Sequence, residues 1–182
     1  MRTLVAFLLL AILPATADAE GQVVGPGGIA RNFTVVDRAS GRPLNLHDFA
    51  GRVIVLDFFA FWCEPCAQAS ADLETAVNRP YAKAGGNPAR LPVVVLGISI
   101  DPGNPARTAG FVRQTGMERA ADDPDQAAFS QFDRENSVPL VVVINGAAGI
   151  PGRRQWEVLY SNAGYEGSAA LRRLIDSVGT PR

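Results

Sequence analysis

Two cysteines three positions apart, in the run Cys63-Glu64-Pro65-Cys66, carry the clearest chemistry in this sequence. At a helix start such a pair closes a small disulfide with little backbone movement, and the helix N-terminus favours a thiolate on the first sulfur. Pro65 holds the turn. Glu64 places a negative charge beside Cys63 that opposes thiolate formation, so these two residues are read as tuning the pair. The alternative is a structural staple, natural in an exported chain with an even cysteine count. A loop this short removes less unfolded-state entropy than one of about 15 residues, for which the chain-entropy model gives about 3 kcal/mol. Reversible oxidation therefore explains the motif better.

A second chemical candidate lies six residues upstream. Asp57 is the one ionisable group in the run Val53 to Trp62, which is otherwise apolar and mostly β-branched or aromatic. Burial there raises its pKa by desolvation and makes it a candidate proton acceptor for the cysteines, with a solvated strand-end carboxylate as the plainer reading.

These residues need elements to position them. The run from Val53 lacks polar alternation and reads as a central strand covered on both faces. Apolar residues then recur at helical spacing from Cys66 to Val77, so a helix is expected from the cysteines to Pro80. Leu91 to Ile100 reads as a second buried strand. Asn104-Pro105 to Gly116 carries both helix end signals, and Asp123-Pro124 repeats the cap ahead of a short helix bearing Phe129 and Phe132. Strands are expected at Leu140 to Ile144 and Trp156 to Tyr160, then a last helix capped by Ser168 and closed by Gly179. Phe33 to Val36 and Leu44 to Leu46 flank a turn and suggest a hairpin. The order predicts an α/β mixed sheet with helices on both faces, two crossovers giving parallel strands and a final hairpin an antiparallel one.

Residues 1–19 read as a cleaved export signal: Arg2, ten apolar residues from Leu4 to Leu13, and the A-x-A site Ala17-Asp18-Ala19. Residues 20–32, rich in glycine, read as a flexible lead-in, and 33–182 as one domain. The chain is 182 residues long with 47% hydrophobic residues and net charge -1, enough to build a core. It has no basic run to recruit a nucleic acid. Two cysteines and one histidine cannot supply a four-ligand zinc site. No cofactor is implied. His47, beside Asp48, reads as an exposed turn residue without a catalytic role.

From Phe33 to Cys66, and on through the strand ending Ser99-Ile100-Asp101 and Val138-Pro139, the chain resembles the thioredoxin superfamily, and in particular bacterial exported thiol-disulfide oxidoreductases of the TlpA/ResA type. The resemblance implies a thioredoxin-like domain whose Cys63-Cys66 pair cycles between dithiol and disulfide. It implies a cis Pro139 against the disulfide, with Trp62, Val138 and Pro139 forming the wall where substrate backbone docks. Asp57 corresponds to the buried aspartate of thioredoxins, a position where TlpA-like chains often carry asparagine. Phe59, Ala67 and Leu140 depart from common family residues and make the substrate face more apolar.

The implied partners are disulfide- or thiol-bearing exported proteins and a membrane thiol reductant or oxidant. The implied place is the periplasm, with reduction as the favoured direction and cytochrome c maturation as one pathway. Oxidation of exported thiols uses the same residues. Cu(I) handling is a different reading, since a CxxC pair suits a soft ion, but no third ligand lies near the motif. A thiol peroxidase would show proline and a hydroxyl residue where this chain has Leu56 and Ala60.

Overall fold

A computed structural model describes residues 22–180; the export signal expected at residues 1–19 lies outside them. Seven strands form one sheet: β1 (Thr34–Asp37), β2 (Pro43–Asn45), β3 (Val53–Phe59), β4 (Val93–Ser99), β5 (Ala120–Asp122), β6 (Leu140–Asn145) and β7 (Glu157–Ala163). Their spatial order is β2-β1-β5-β4-β3-β6-β7. The strand that ends before the cysteines is thus interior, paired in parallel with β4 and antiparallel with β6. All seven of its residues are buried, as a run without polar alternation requires.

Two strand relations differ from expectation. The second crossover delivers not β6 but a short strand, β5, which runs parallel to β4 and pairs antiparallel with β1. The third long apolar strand, β6, then enters on the far side of β3 and runs antiparallel to it. Ala120 and Ala121 carry no β-branched or aromatic signal, so β5 is held by its neighbours rather than by its own propensity.

Helix α1 (Glu64–Asp72) leads into a π-helical stretch, Leu73–Asn78, and then α2 (Arg79–Ala84). The helix expected to stop at Pro80 therefore passes through it. The wider i to i+5 turn just before the proline accommodates its missing N–H and its ring, which an unbroken α-helix would not. Helix α3 (Pro105–Thr115) has Asn104 as N-cap, its side chain accepting from the Arg107 N–H, and Gly116 in the left-handed conformation at its end. The last helix, α4 (Ser168–Ser177), begins at Ser168 with Gly167 in the cap position, one residue earlier than the expected serine cap.

Both faces of the sheet carry helical segments, of different kinds. Val53 and Val55 face Leu73, Val77 and Tyr81 of the long helix and Leu171 and Ile175 of α4. Farther along the same side of β3, Phe59 stacks on Phe111 of α3 with ring centroids 4.5 Å apart. The opposite side, with Ile54, Leu56 and Phe58, packs on two short 3-10 helices, Leu46–Phe49 and Phe129–Gln131, and on Phe33. The short helix expected after Asp123 is the second of these. Asp123 is wholly buried and accepts from the N–H groups of Ala128 and Phe129, at 3.3 and 2.8 Å. Asp123→Ala strands both donors in the core and should cost about 2 kcal/mol, seen as a lower urea midpoint at unchanged slope. An unchanged midpoint would show that these bonds are dispensable.

The expected flexible lead-in is tied down from Val24 onward. Val24 N–H donates to Gln131, Gly27 N–H to Val158, Val158 N–H to Gly28 and Ala30 N–H to Trp156, and Ala30 is buried. Glycine content signals conformational freedom in the unfolded chain, and these backbone bonds outweigh it here.

Candidate active site

The interior strand β3 ends at Phe59, and the chain turns through Ala60 to Trp62 before α1 begins at Glu64. Cys63 is the N-cap of α1, and its sulfur accepts from the Cys66 N–H at 3.2 Å. Cys63 and Cys66 are joined in a disulfide, Cα atoms 5.3 Å apart. Cys66 is fully buried, whereas Cys63 keeps 6% of its surface exposed. Glu64 and Pro65 are exposed in the first turn of the helix.

The Val138–Pro139 peptide is cis, and the Val138 carbonyl oxygen lies 3.7 Å from Cys63 Sγ. Pro139 itself is buried and Val138 half-buried, directly ahead of β6. Beside the disulfide, Trp62 is 58% exposed, a large apolar surface left open to solvent. Its indole N–H donates to Asp101 Oδ2 at 3.0 Å, so the ring is anchored by the loop after β4. The neighbouring Phe61 ring carries the Arg107 guanidinium 4.6 Å from its centroid. Nothing in the sequence marks Asp101 or Arg107 as part of the site: the loop after β4 brings the first, and the first turn of α3 the second, to the aromatic pair only in the fold.

Asp57 lies on the side of β3 covered by α1 and is 1% exposed. Ser70 Oγ donates to its Oδ2 at 2.6 Å, while Oδ1 has no partner among the described residues. Loss of hydration pushes the Asp57 pKa up to about 7, and the Ser70 hydrogen bond pulls partly the other way. Ser70 was missed as a site residue, although it falls four residues after Cys66 on the same helix face. His47 is exposed on its 3-10 helix and stacks on Trp156 at 4.3 Å.

Among the described residues, no cluster of three or more His, Cys, Asp or Glu side chains could hold a metal ion. None of their helices is long and apolar enough to cross a membrane.

A family model described as AhpC/TSA matches residues 26–150, most of the chain and both cysteines. The chain belongs to the AhpC/TSA family. Among curated proteins, this AhpC/TSA chain is similar to the thiol-disulfide oxidoreductase ResA of Geobacillus thermodenitrificans, 39% identical over 70 residues. That alignment spans 36% of this chain and 40% of the relative. Among solved structures, it is similar to a secreted thiol-disulfide isomerase from Corynebacterium glutamicum, with a TM-score of 0.64 and 18% identity over 91% of this chain and 95% of that one. It is also similar to the thioredoxin domain of a thiol-disulfide oxidoreductase from Bacteroides vulgatus, with a TM-score of 0.63 and 13% identity over 84% and 99% of the two chains. StoA from Bacillus subtilis matches with a TM-score of 0.57 and 14% identity over 82% and 98%. At such identities the structures speak to the fold, a thioredoxin-like mixed sheet with helices. Within this AhpC/TSA chain, Leu56 and Ala60 are fully buried and apolar, so neither offers the hydroxyl of the peroxidase pattern.

Proposed function

We propose that this protein is a thiol-disulfide oxidoreductase that reduces disulfides of exported proteins. The observation that carries the reading is the Cys63–Cys66 disulfide at the start of α1, with the Val138 carbonyl and an exposed Trp62 beside it. The helix start favours a thiolate on Cys63, the more accessible of the two sulfurs. In the dithiol form that thiolate attacks a substrate disulfide and displaces one substrate thiolate, leaving a mixed disulfide. Cys66 then gives its proton to Asp57 and attacks Cys63 Sγ, which releases the second substrate thiolate. Two electrons pass from the pair to the substrate, whose thiolates take up protons, and the Cys63–Cys66 disulfide remains. A membrane thiol reductant restores the dithiol.

The extended backbone of a substrate docks against Val138 and Pro139, with its side chains over Trp62. A carbonyl so close to the reacting sulfur suits a strand-like partner, which presents N–H groups at regular spacing. Glu64 and Pro65 tune the couple from the exposed first turn. The export signal expected at residues 1–19 supports a periplasmic site for this chemistry, and cytochrome c maturation is the pathway favoured by the resemblance to TlpA/ResA-type chains.

Equilibration of residues 20–182 against glutathione and dithiothreitol tests the direction. A reductant should show a potential more negative than about -200 mV, near the thioredoxin range. A value near about -120 mV, as for a strong dithiol oxidant, would reverse the assignment.

A further inference from the structure

Asp57 has one oxygen held and one free. On β3 its register neighbours are Gly97 of β4 and Val141 of β6, neither of which brings a charge or a hydrogen-bonding side chain. Met117 occupies the space beside Gly97, where even an added Cβ would lie 2.6 Å from its sulfur. A cationic side chain from β4 therefore has no room to reach the acid. The titratable groups on the covering elements are Glu64, Cys66 and Asp72 on α1 and Tyr165 after β7, and of these Glu64 is exposed at the far end of the helix. Tyr165 donates its hydroxyl to Asp72 Oδ2 at 2.5 Å, and Asp72 also accepts from the Ser168 N–H. Both are thereby occupied with each other, and the hydroxyl of Ser70 is the group left to orient Asp57.

Ser70 and Cys66 are four residues apart on α1 and both are buried, so they share the face turned toward the sheet. We propose that Ser70 is a positioning residue for the resolving step: it holds Asp57 Oδ2 so that Oδ1, the unpartnered oxygen, takes the proton from Cys66. This rests on the reading of Asp57 as the proton acceptor given above. The balance is that of the resolving step itself: the Cys66 S–H bond breaks, an O–H bond forms on Asp57, and the sulfur's electron pair attacks Cys63. Ser70 is neither oxidised nor reduced. It donates to the carboxylate and so favours the charged, basic form; when Asp57 is protonated, the serine keeps the acid in register for return of the proton.

The test uses Ser70→Ala, which removes one oxygen and adds no volume, in the chain of residues 20–182. The Asp57 carboxyl carbon is titrated by NMR in the disulfide form, and the resolving rate is measured from pH 6 to 9. Loss of a hydrogen bond to a charged acceptor should move both profiles up by about one pH unit. Resolution then slows about fivefold at pH 7 and little at pH 9, as expected for a base with half its sites ionised near pH 7 in the parent. Ser70→Thr keeps the hydroxyl and should restore the profile. Should Ser70→Ala leave both profiles where they are while Asp57→Asn slows resolution, Ser70 is packing only and the proton-acceptor reading survives. Should Asp57→Asn leave resolution untouched, the acceptor reading fails and the role of Ser70 fails with it.

Discussion

Cys66→Ala protein mixed with a disulfide-bearing substrate is expected to accumulate as a covalent adduct through Cys63. The attacking sulfur keeps its place as N-cap of α1, where the backbone N–H of residue 66 still points at it. Alanine preserves that N–H and removes only the escape thiol. Cys66 is fully buried, so its loss takes away the internal attack without exposing a new path for water or an external thiol. Turnover should fall by more than about a hundredfold, while the first attack proceeds at near the parent rate. Non-reducing electrophoresis and mass spectrometry of the adduct check both parts. Equal trapping through Cys66 in a Cys63→Ala protein would reverse the two roles.

Asp57→Asn is expected to have opposite effects on rate and on stability. In the parent, the carboxyl is buried with a pKa of about 7, against about 3.9 in an unfolded chain. Between about pH 4 and 7 the folded chain holds a proton that the unfolded chain has lost, so folding stability falls as the pH rises and levels off above 7. A gap of about three pKa units corresponds to at most ~4 kcal/mol over that window. Asparagine has no charge to bury. Allowing for the burial of its own amide, we expect a gain of about 2 kcal/mol at pH 8, or about 4–8 °C in Tm, shrinking as the pH is lowered toward 4. Resolution of the mixed disulfide should slow about tenfold near neutral pH, because Cys66 then ionises only to the extent its own pKa allows. An Asp57→Asn chain that matches the parent in insulin reduction from pH 6 to 8 would remove Asp57 from the mechanism. One that gains no stability at pH 8 would show that the buried charge is better solvated than its surroundings suggest.

The parts of this molecule that were legible in its sequence are those where one local rule dominates. Val53 to Phe59 could be read as an interior strand because every residue but Asp57 is apolar or aromatic, and Asp57 stood out for the same reason. The cap of α3 could be read from Asn104, Pro105 and Gly116. What escaped depends on groups meeting across the fold. Asp101 reaches Trp62 only after β4 has placed its following loop beside the cysteines, and nothing in its neighbours signals that. β5 has three residues, two of them alanine, and exists as a strand because β4 and β1 flank it. The passage of the helix through Pro80 depends on a π-helical turn, for which the apolar spacing carries no distinct mark. Ser70 was within reach: a hydroxyl at a buried helical position, four residues from a cysteine and facing a strand with one acid, needs a partner.

The backbone bonds between the N-terminal segment and β7 bear on how this protein meets others. An outer strand is a template on which a foreign strand can add, and here that template is already used at Trp156 and Val158. At the opposite rim, β2 is three residues long and opens with Pro43, which offers no N–H. The start of β7 and the short β2 are thus poor places for a neighbouring chain to extend the sheet. Under the proposed docking of substrate backbone at the Val138 carbonyl, a strand-like partner meets less competition from these two stretches of sheet edge.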